Sequence, residues 1–350
     1  MATKGYSSYH GRGSGRKTGL IILLVLILLA AVAFLLSQRY LVYDETGKAH
    51  WELPFSRRSS EPTPDQPENN PVSPEDVVIE REDPQPEPQP QPEPQHPKLT
   101  ELHAQELENG SLWWDPEYVL SLVSESMMVE VKRPTGGITY GTEVETAPGV
   151  VVERGVTREN LTALLRSDHY AVARISCLRD TSYAEGRPEA ALKATWGDVW
   201  YDGDGRAWLD PAAETTRTYL TALCAECARL GFDEILLDGF WYPVSGNQEA
   251  LALPEGLNKT AVLTELAAAI RQVLPENVAL SVAYRSEAGA LGGGSGLTAE
   301  LLSSFDRIYV DEAVDRSALD QALPQTFDRS GGLALLCYGK PESGGYAILP

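Results

Sequence analysis

The chain has 350 residues, 43% of them hydrophobic, and carries 29 Lys+Arg against 50 Asp+Glu, a formal net charge of −21. A protein this acidic repels polyanions, so nucleic acid is excluded as the expected partner. Four cysteines are too few for a disulfide scaffold in a chain of this length.

Residues 1–19 contain Lys4, Arg12, Arg16 and Lys17 and no acid. They read as a basic cytoplasmic tail. Residues 20–36, LIILLVLILLAAVAFLL, are seventeen apolar positions with no charge, the short end of the about 17–25 that a transmembrane helix needs. Tyr40 and Tyr43 follow at headgroup depth. The competing reading is a cleaved signal peptide, with Ala30, Ala31 and Ala33 before the cut. Because the positive flank stays in the cytoplasm, the expectation is a single-pass signal-anchor with everything beyond it outside the cell.

Residues 37–98 are rich in Pro, Glu and Gln, culminating in PQPEPQPQPEPQ. Such a segment has too little apolar surface to offset the entropy of ordering, and it reads as a disordered stalk with extended polyproline character.

Residues 99–350 are long enough for one sizeable domain. Apolar β-rich runs at Met127–Lys132, Tyr170–Ser176, Asp233–Asp238, Val278–Tyr284, Arg307–Asp311 and Leu333–Tyr338 alternate with helical patterns at Thr157–Arg166, Pro211–Leu230 and Asn258–Leu274. Alternation of this kind predicts a parallel sheet covered by helices, and the length favours a (β/α)8 TIM-type barrel, irregular or incomplete because only six strands are readable. Further strands are sought in 112–120, in 198–209 and in the terminal YAILP.

Two small motifs lie within this region. Cys224 and Cys227 form a CxxC, but with Leu220, Leu223 and Leu230 they follow the spacing of one helix face, so both thiols are expected in the core. Asp202 and Asp204 alternate with glycines in a pattern too short for a calcium loop, and a tight turn is the better account. No residue set calls for a metal or an organic cofactor.

In such barrels the reactive groups collect at the carboxyl ends of the strands. Glu130, Arg174, Asp238, Glu287 and Asp311 all fall at or just beyond strand ends, and Trp208, Phe240, Trp241, Tyr242 and Tyr284 lie near them. Acids beside flat rings suit sugar chemistry: one carboxyl protonates the leaving oxygen, another acts as nucleophile or base, and the rings stack on pyranose faces. The candidate catalytic residues are therefore Asp238, Glu287, Asp311 and Glu130, and the candidate substrate-binding residues are Arg174, Trp208, Phe240, Trp241, Tyr242 and Tyr284. An ion pair with Arg174 or Arg285 would equally explain several of the acids. Asp233 and Glu234 are expected at the solvated start of their strand.

The segment GFDEILLDGFWYP, residues 231–243, resembles the GFDEIQFDYIRFP-type segment of a bacterial family of glycosyl hydrolase domains, TIM barrels distantly similar to alpha-amylase-type enzymes. MVEVKRPTGGITY resembles that family's first strand and glycine-rich turn, with Glu130 where an aspartate is usual. YAVARISCLRD, with Arg174 and Asp180, and GDVWYDGDGRAWLDP, with Trp200, Trp208 and Asp210, resemble two further segments. The resemblance implies a glycosidase-like barrel with Asp238 at its centre. It breaks where Trp241 replaces an arginine, where Ser281-Val-Ala283 replaces Ser-Ala-Asp, and where RIYVDEAVD lacks the proline and methionine of a late strand.

Three functions stay open at this stage. The first is a membrane-anchored glycoside hydrolase acting on a polysaccharide or cell-wall glycan; the others are a catalytically inactive carbohydrate-binding barrel and a cell-surface scaffold.

Overall fold

The computed structural model describes residues 41–43, 49–51, 96–123, 125–147 and 154–350. The apolar run 20–36 and most of the stalk lie outside the described residues. The chain divides into two units, Met1–Asp83 and Pro84–Pro350. In the first, Leu41–Tyr43 pairs antiparallel with Ala49–Trp51, Leu41 opposite Trp51, within the segment read as stalk. Among the described residues no helix is long and apolar enough to cross a membrane.

In the second unit eight parallel strands close into a barrel, each pairing with the next in chain order and the last with the first. Numbered along the chain they are β1 His103–Glu106, β2 Ser126–Lys132, β3 Tyr170–Ser176, β4 Glu234–Asp238, β5 Ala279–Tyr284, β6 Arg307–Asp311, β7 Leu333–Cys337 and β8 Gly345–Ile348. The crossovers carry helices α1 Pro116–Leu122, α2 Arg154–Leu165, α3 Thr181–Gly186, α4 Glu214–Leu230, α5 Lys259–Val273, α6 Ala299–Leu302 and α7 Arg316–Ala322. The closed barrel is therefore complete.

The two strands absent from the sequence reading are β1 and β8. YAILP supplies the second, as expected. The first comes from HAQE, and the two other searched regions form different structures: a 3-10 turn Ser111–Trp113 with α1, and isolated bridges such as Ala191 to Leu209.

Alternation along the strands sorts the core into two layers. Leu102, Ala104, Met128, Tyr170, Val172, Leu236, Ala283, Tyr309, Ala334, Leu336, Ala347 and Leu349 fill the barrel interior. Residues one position away, such as Val129, Ile235, Leu237, Val282 and Val310, pack outward against the helices. Strands buried on both faces read as near-continuous apolar runs, which is why EILLD is wholly buried. The period of two then places Glu234, Leu236 and Asp238 on the interior face, one above another.

Glu234 thereby corrects the expectation of a solvated strand start. It is fully buried at the barrel floor, where it accepts hydrogen bonds from Tyr170 Oη at 2.9 Å, Ser281 Oγ at 2.6 Å and Tyr309 Oη at 2.8 Å, with Arg307 Nε at 3.2 Å. Asp233 is buried as well and caps the same end through the Ala171 N–H at 2.9 Å and the His96 N–H at 3.2 Å. All four cysteines are free and buried, Cys224 and Cys227 on the core face of α4. Asp202 organises a turn by accepting from the Asp204 and Arg206 N–H groups, both at 2.9 Å, and from Trp208 Nε1 at 2.8 Å.

Candidate active site

The carboxyl ends of the strands bring one guanidinium among three acids. Arg174, on β3 and opposite Glu130 of β2 in the ladder, donates from Nη2 to Glu106 Oε1 at 2.6 Å and to Glu130 Oε1 at 2.8 Å, and from Nη1 to Asp238 Oδ2 at 3.1 Å. Arg285, just past β5, grips Asp238 from the other side, Nε to Oδ1 at 2.8 Å and Nη2 to Oδ2 at 2.6 Å. The Gly239 N–H adds a fourth bond to Oδ1 at 2.9 Å. This turn requires Gly239 to adopt φ +65°, a conformation open to glycine at no steric cost.

Glu106, Arg174, Asp238, Gly239 and Arg285 line an open cavity of about 300 Å³ together with Arg179, Glu287 and Tyr338. Arg179 donates from Nη2 to Glu287 Oε2 at 3.0 Å, and its guanidinium lies 4.9 Å from the Trp208 ring centroid. Several buried polar atoms have no hydrogen-bond partner here: Glu106 Oε2, Arg174 Nε and Arg179 Nε. Buried polar atoms in native folds are paired with few exceptions, and an exception in a cavity is a site where a ligand or water completes the set.

The environment drives the two inner acids apart. Burial alone would raise the pKa of Asp238, but the charges and hydrogen bonds of Arg285 and then Arg174 outweigh it and hold the carboxyl well below the usual carboxylate range. For Glu106 burial dominates and lifts the pKa above its ordinary value despite Arg174, with Glu130 and Asp238 adding to the rise. A pair of carboxyls displaced in opposite directions is how acid and base roles are divided in one site.

Among the expected catalytic residues, Asp238 and Glu287 line the cavity and Glu130 reaches it through Arg174. Asp311 does not take part. Its Oδ2 accepts from the Ser286 N–H and Oγ, each at 2.8 Å, and its Oδ1 from the Ala313 and Val314 N–H groups, each at 3.1 Å. Such saturation marks a loop-capping carboxylate. Of the expected substrate-binding residues Arg174 is central, while the aromatic ones are corrected. Trp208, Phe240, Trp241 and Tyr242 are fully buried, packed as Trp208 on Trp241 at 6.3 Å and Phe240 on Phe305 at 5.8 Å between ring centroids. Tyr284 faces the helices as part of the outer core layer and donates its hydroxyl to the Gly289 carbonyl at 3.0 Å. Ring faces covered by protein cannot stack on a sugar, and Trp208 instead carries the Arg179 guanidinium.

Sequence reasoning missed Glu106, Arg179 and Tyr338. Glu106 lies in β1, a four-residue strand with only Ala104 beside it on the interior face, too short to show a period in the sequence. Tyr338 follows β7 directly and is 74% exposed. Among the described residues no group of three or more His, Cys, Asp or Glu could hold a metal ion.

A closed parallel barrel with a charged cavity at the carboxyl ends of its strands belongs to the (β/α)8 class. Residues 119–286 match the model of the family described as "Putative glycosyl hydrolase domain", so the family resemblance stands over β2 to the turn after β5, and the fold is glycoside hydrolase-like. Among solved structures the chain is similar to a hypothetical protein from Ruminiclostridium thermocellum, with 22% identity, 51% of this chain and 96% of that chain covered and a TM-score of 0.43. It is also similar to the alpha-galactosidase TtGalA from Thermus thermophilus in complex with p-nitrophenyl alpha-D-galactopyranoside, with 16% identity, 54% and 39% covered and a TM-score of 0.34. A GH36 alpha-galactosidase from Geobacillus stearothermophilus in complex with 1-deoxygalactonojirimycin is 10% identical, with 71% and 38% covered and a TM-score of 0.44. The matched regions span about two fifths of those two galactosidases, and these likenesses concern the fold. No curated protein matches the chain.

Proposed function

We propose that the protein is a glycoside hydrolase of the cell envelope, acting outside the cytoplasmic membrane on a polysaccharide or cell-wall glycan. The observation that carries the reading is the pair Asp238 and Glu106, joined through one guanidinium in an open cavity and driven in opposite directions by their surroundings. Asp238 stays ionised and supports the positive charge that develops on the sugar in an oxocarbenium-like transition state. Glu106 retains its proton to higher pH and delivers it to the leaving oxygen as the glycosidic bond breaks; a water then adds to the anomeric carbon and gives its proton to the Glu106 carboxylate, which restores the acid. Glu287, 44% exposed on its loop and paired with Arg179, contacts the substrate from above. The basic tail 1–19 and apolar run 20–36 support an anchor with the barrel on the outer side; protease added to intact cells would then digest the barrel, and its protection would refute that orientation.

A second reading has its own support. A carboxylate has about four acceptor sites, and Asp238 already receives four hydrogen bonds, two from Arg285, one from Arg174 and one from Gly239. Direct nucleophilic attack by Asp238 therefore requires a donor to withdraw, and a barrel that holds a glycan without cleaving it fits the same geometry. Incubating the full chain with wall and extracellular polysaccharides, and measuring both binding and new reducing ends in the same samples, separates the two. Binding with release supports the hydrolase, binding without release the lectin-like barrel, and neither refutes both.

A further inference from the structure

Beside the central cavity lies a second hollow of about 120 Å³, enclosed by the β1–α1 loop, the end of β2 and the turn after it. Glu130 links the two through Arg174, which lines the larger. Glu130 itself lines the smaller hollow, while its Oε1 accepts from Arg174 Nη2 at 2.8 Å. The lining of the smaller hollow also includes Trp113, which is 41% exposed, and the polar Asn109 and Arg133. Arg133 donates from Nη2 to Asn109 Oδ1 at 2.9 Å; its Nε lies 3.5 Å from Glu130 Oε2 and has no hydrogen-bond partner.

Both sides of this hollow are held in place. The turn carrying Arg133 is closed by the Arg133 N–H on the Gly137 carbonyl and the Gly136 N–H on the Arg133 carbonyl, each at 2.9 Å. The loop carrying Trp113 is pinned by Asn160 Nδ2, which donates to the carbonyls of Leu112 at 2.8 Å and Trp114 at 3.1 Å. Groups fixed before binding lose little entropy when a ligand arrives. An exposed aromatic residue sharing one hollow with an amide and a guanidinium suits a pyranose, whose C–H face packs on an aromatic ring while its hydroxyls take planar donors and acceptors.

We propose that the hollow bounded by Trp113, Asn109 and Arg133 is a second sugar subsite. The ligand of this barrel is then an oligosaccharide chain that crosses over Glu130, one unit held among Arg174, Arg285 and Asp238 and the next stacked on Trp113. The assignment rests on the glycan reading of the central cavity and deepens it by naming the residues that hold the next unit of the chain. It also places an exposed aromatic contact on the β1–α1 loop, well apart in sequence from the buried rings of residues 240–242.

Calorimetric titration tests this with the full chain and ladders of cello-, xylo-, chito- and malto-oligosaccharides of increasing length. In the ladder that binds, wild-type affinity should rise by about tenfold or more upon addition of one unit. That step should vanish in Trp113→Ala and shrink in Arg133→Gln, with unchanged affinity for the shortest bound member and unchanged melting temperature. A step that survives in both variants, or wild-type affinity independent of length, overturns the subsite alone. Failure of the wild type to bind any ladder overturns the glycan reading of the Arg174 cavity and the subsite with it.

Discussion

Arg285 holds Asp238 by two parallel hydrogen bonds, Nε to Oδ1 at 2.8 Å and Nη2 to Oδ2 at 2.6 Å, at the mouth of the barrel. The Arg285 side chain is only 16% exposed and that of Asp238 10%. Removing one member of a buried pair leaves a desolvated charge, which costs about 3–5 kcal/mol. Arg174 still touches Asp238, so Arg285→Met should lose on the order of 3 kcal/mol, the low end of that range. Arg285→Lys, which keeps the charge but not the fork, should lose less. Denaturant titration at neutral pH measures both, and equal stability of all three proteins would contradict the clamp.

The same clamp sets an acid dependence. The folded-state pKa of Asp238 lies below its unfolded value, so its contribution is present above about pH 3.9 and is lost as pH falls below that value toward the folded pKa. The stability difference between wild type and Asp238→Asn should therefore be largest near neutrality and shrink below about pH 4. A difference that stays constant between pH 7 and pH 3 would contradict the assignment.

Glu106 behaves in the opposite sense, because its folded pKa is raised. Its favourable contribution is complete below the unfolded pKa of about 4.3 and is lost as pH rises through the folded value. Wild type should lose stability relative to Glu106→Gln across that window. If Glu106 is the proton donor, the rate should also fall on the alkaline side with the same titration, and Glu106→Gln should reduce it by about 10²–10⁴-fold. A rate unchanged in Glu106→Gln moves the acid role to Glu287.

Position in the barrel decides what an acid contributes. Glu234 and Arg307 are wholly buried and 3.2 Å apart, whereas Glu287 is 44% exposed in its pair with Arg179. Glu234→Ala leaves Arg307 uncompensated and should cost about 3–5 kcal/mol. Glu287→Ala should cost no more than about 1 kcal/mol. Parallel urea titrations compare them directly, and similar losses would refute the distinction.

Gly136 tests the turn that carries Arg133. It has φ +97°, and an added Cβ would fall 2.0 Å from Asp180 Oδ1 and 2.9 Å from the Ser182 Cβ. Asp180 cannot move freely, since it is buried against Lys132 Nζ at 2.9 Å and accepts from the Tyr183 N–H at 2.8 Å. Gly136→Ala should therefore destabilise by more than the about 1–2 kcal/mol of a left-handed alanine. A melting temperature equal to wild type would show that the turn relaxes.

Much of this architecture was legible, and the gaps have physical causes. The long β-rich runs gave six strands, and the position of Asp238 at the end of EILLD put it at the barrel mouth, where Arg174 and Arg285 meet it. β1 escaped because HAQE has only two interior positions, Ala104 and Glu106, too few to show a period against its polar flanks. Glu106 was lost with it. Glu234 was misread because strand ends in open sheets meet solvent, while a barrel floor buries them and supplies Arg307 as partner. Trp208 and residues 240–242 looked like a sugar platform because composition shows aromatics near a mouth but not which way they face. Burial went to those rings and exposure to Trp113 and Tyr338, a choice made by loop packing at long sequence separation.

The central claim is that Asp238 acts on a glycan bound at the barrel mouth. The most direct measurement is kcat/KM for release of reducing ends by the full chain and by Asp238→Asn, on whichever glycan the wild type cleaves, at a temperature where circular dichroism shows both folded. The account predicts a fall on the order of 10³-fold, the scale of losing a main charge stabiliser. A rate within a few fold of wild type would contradict it.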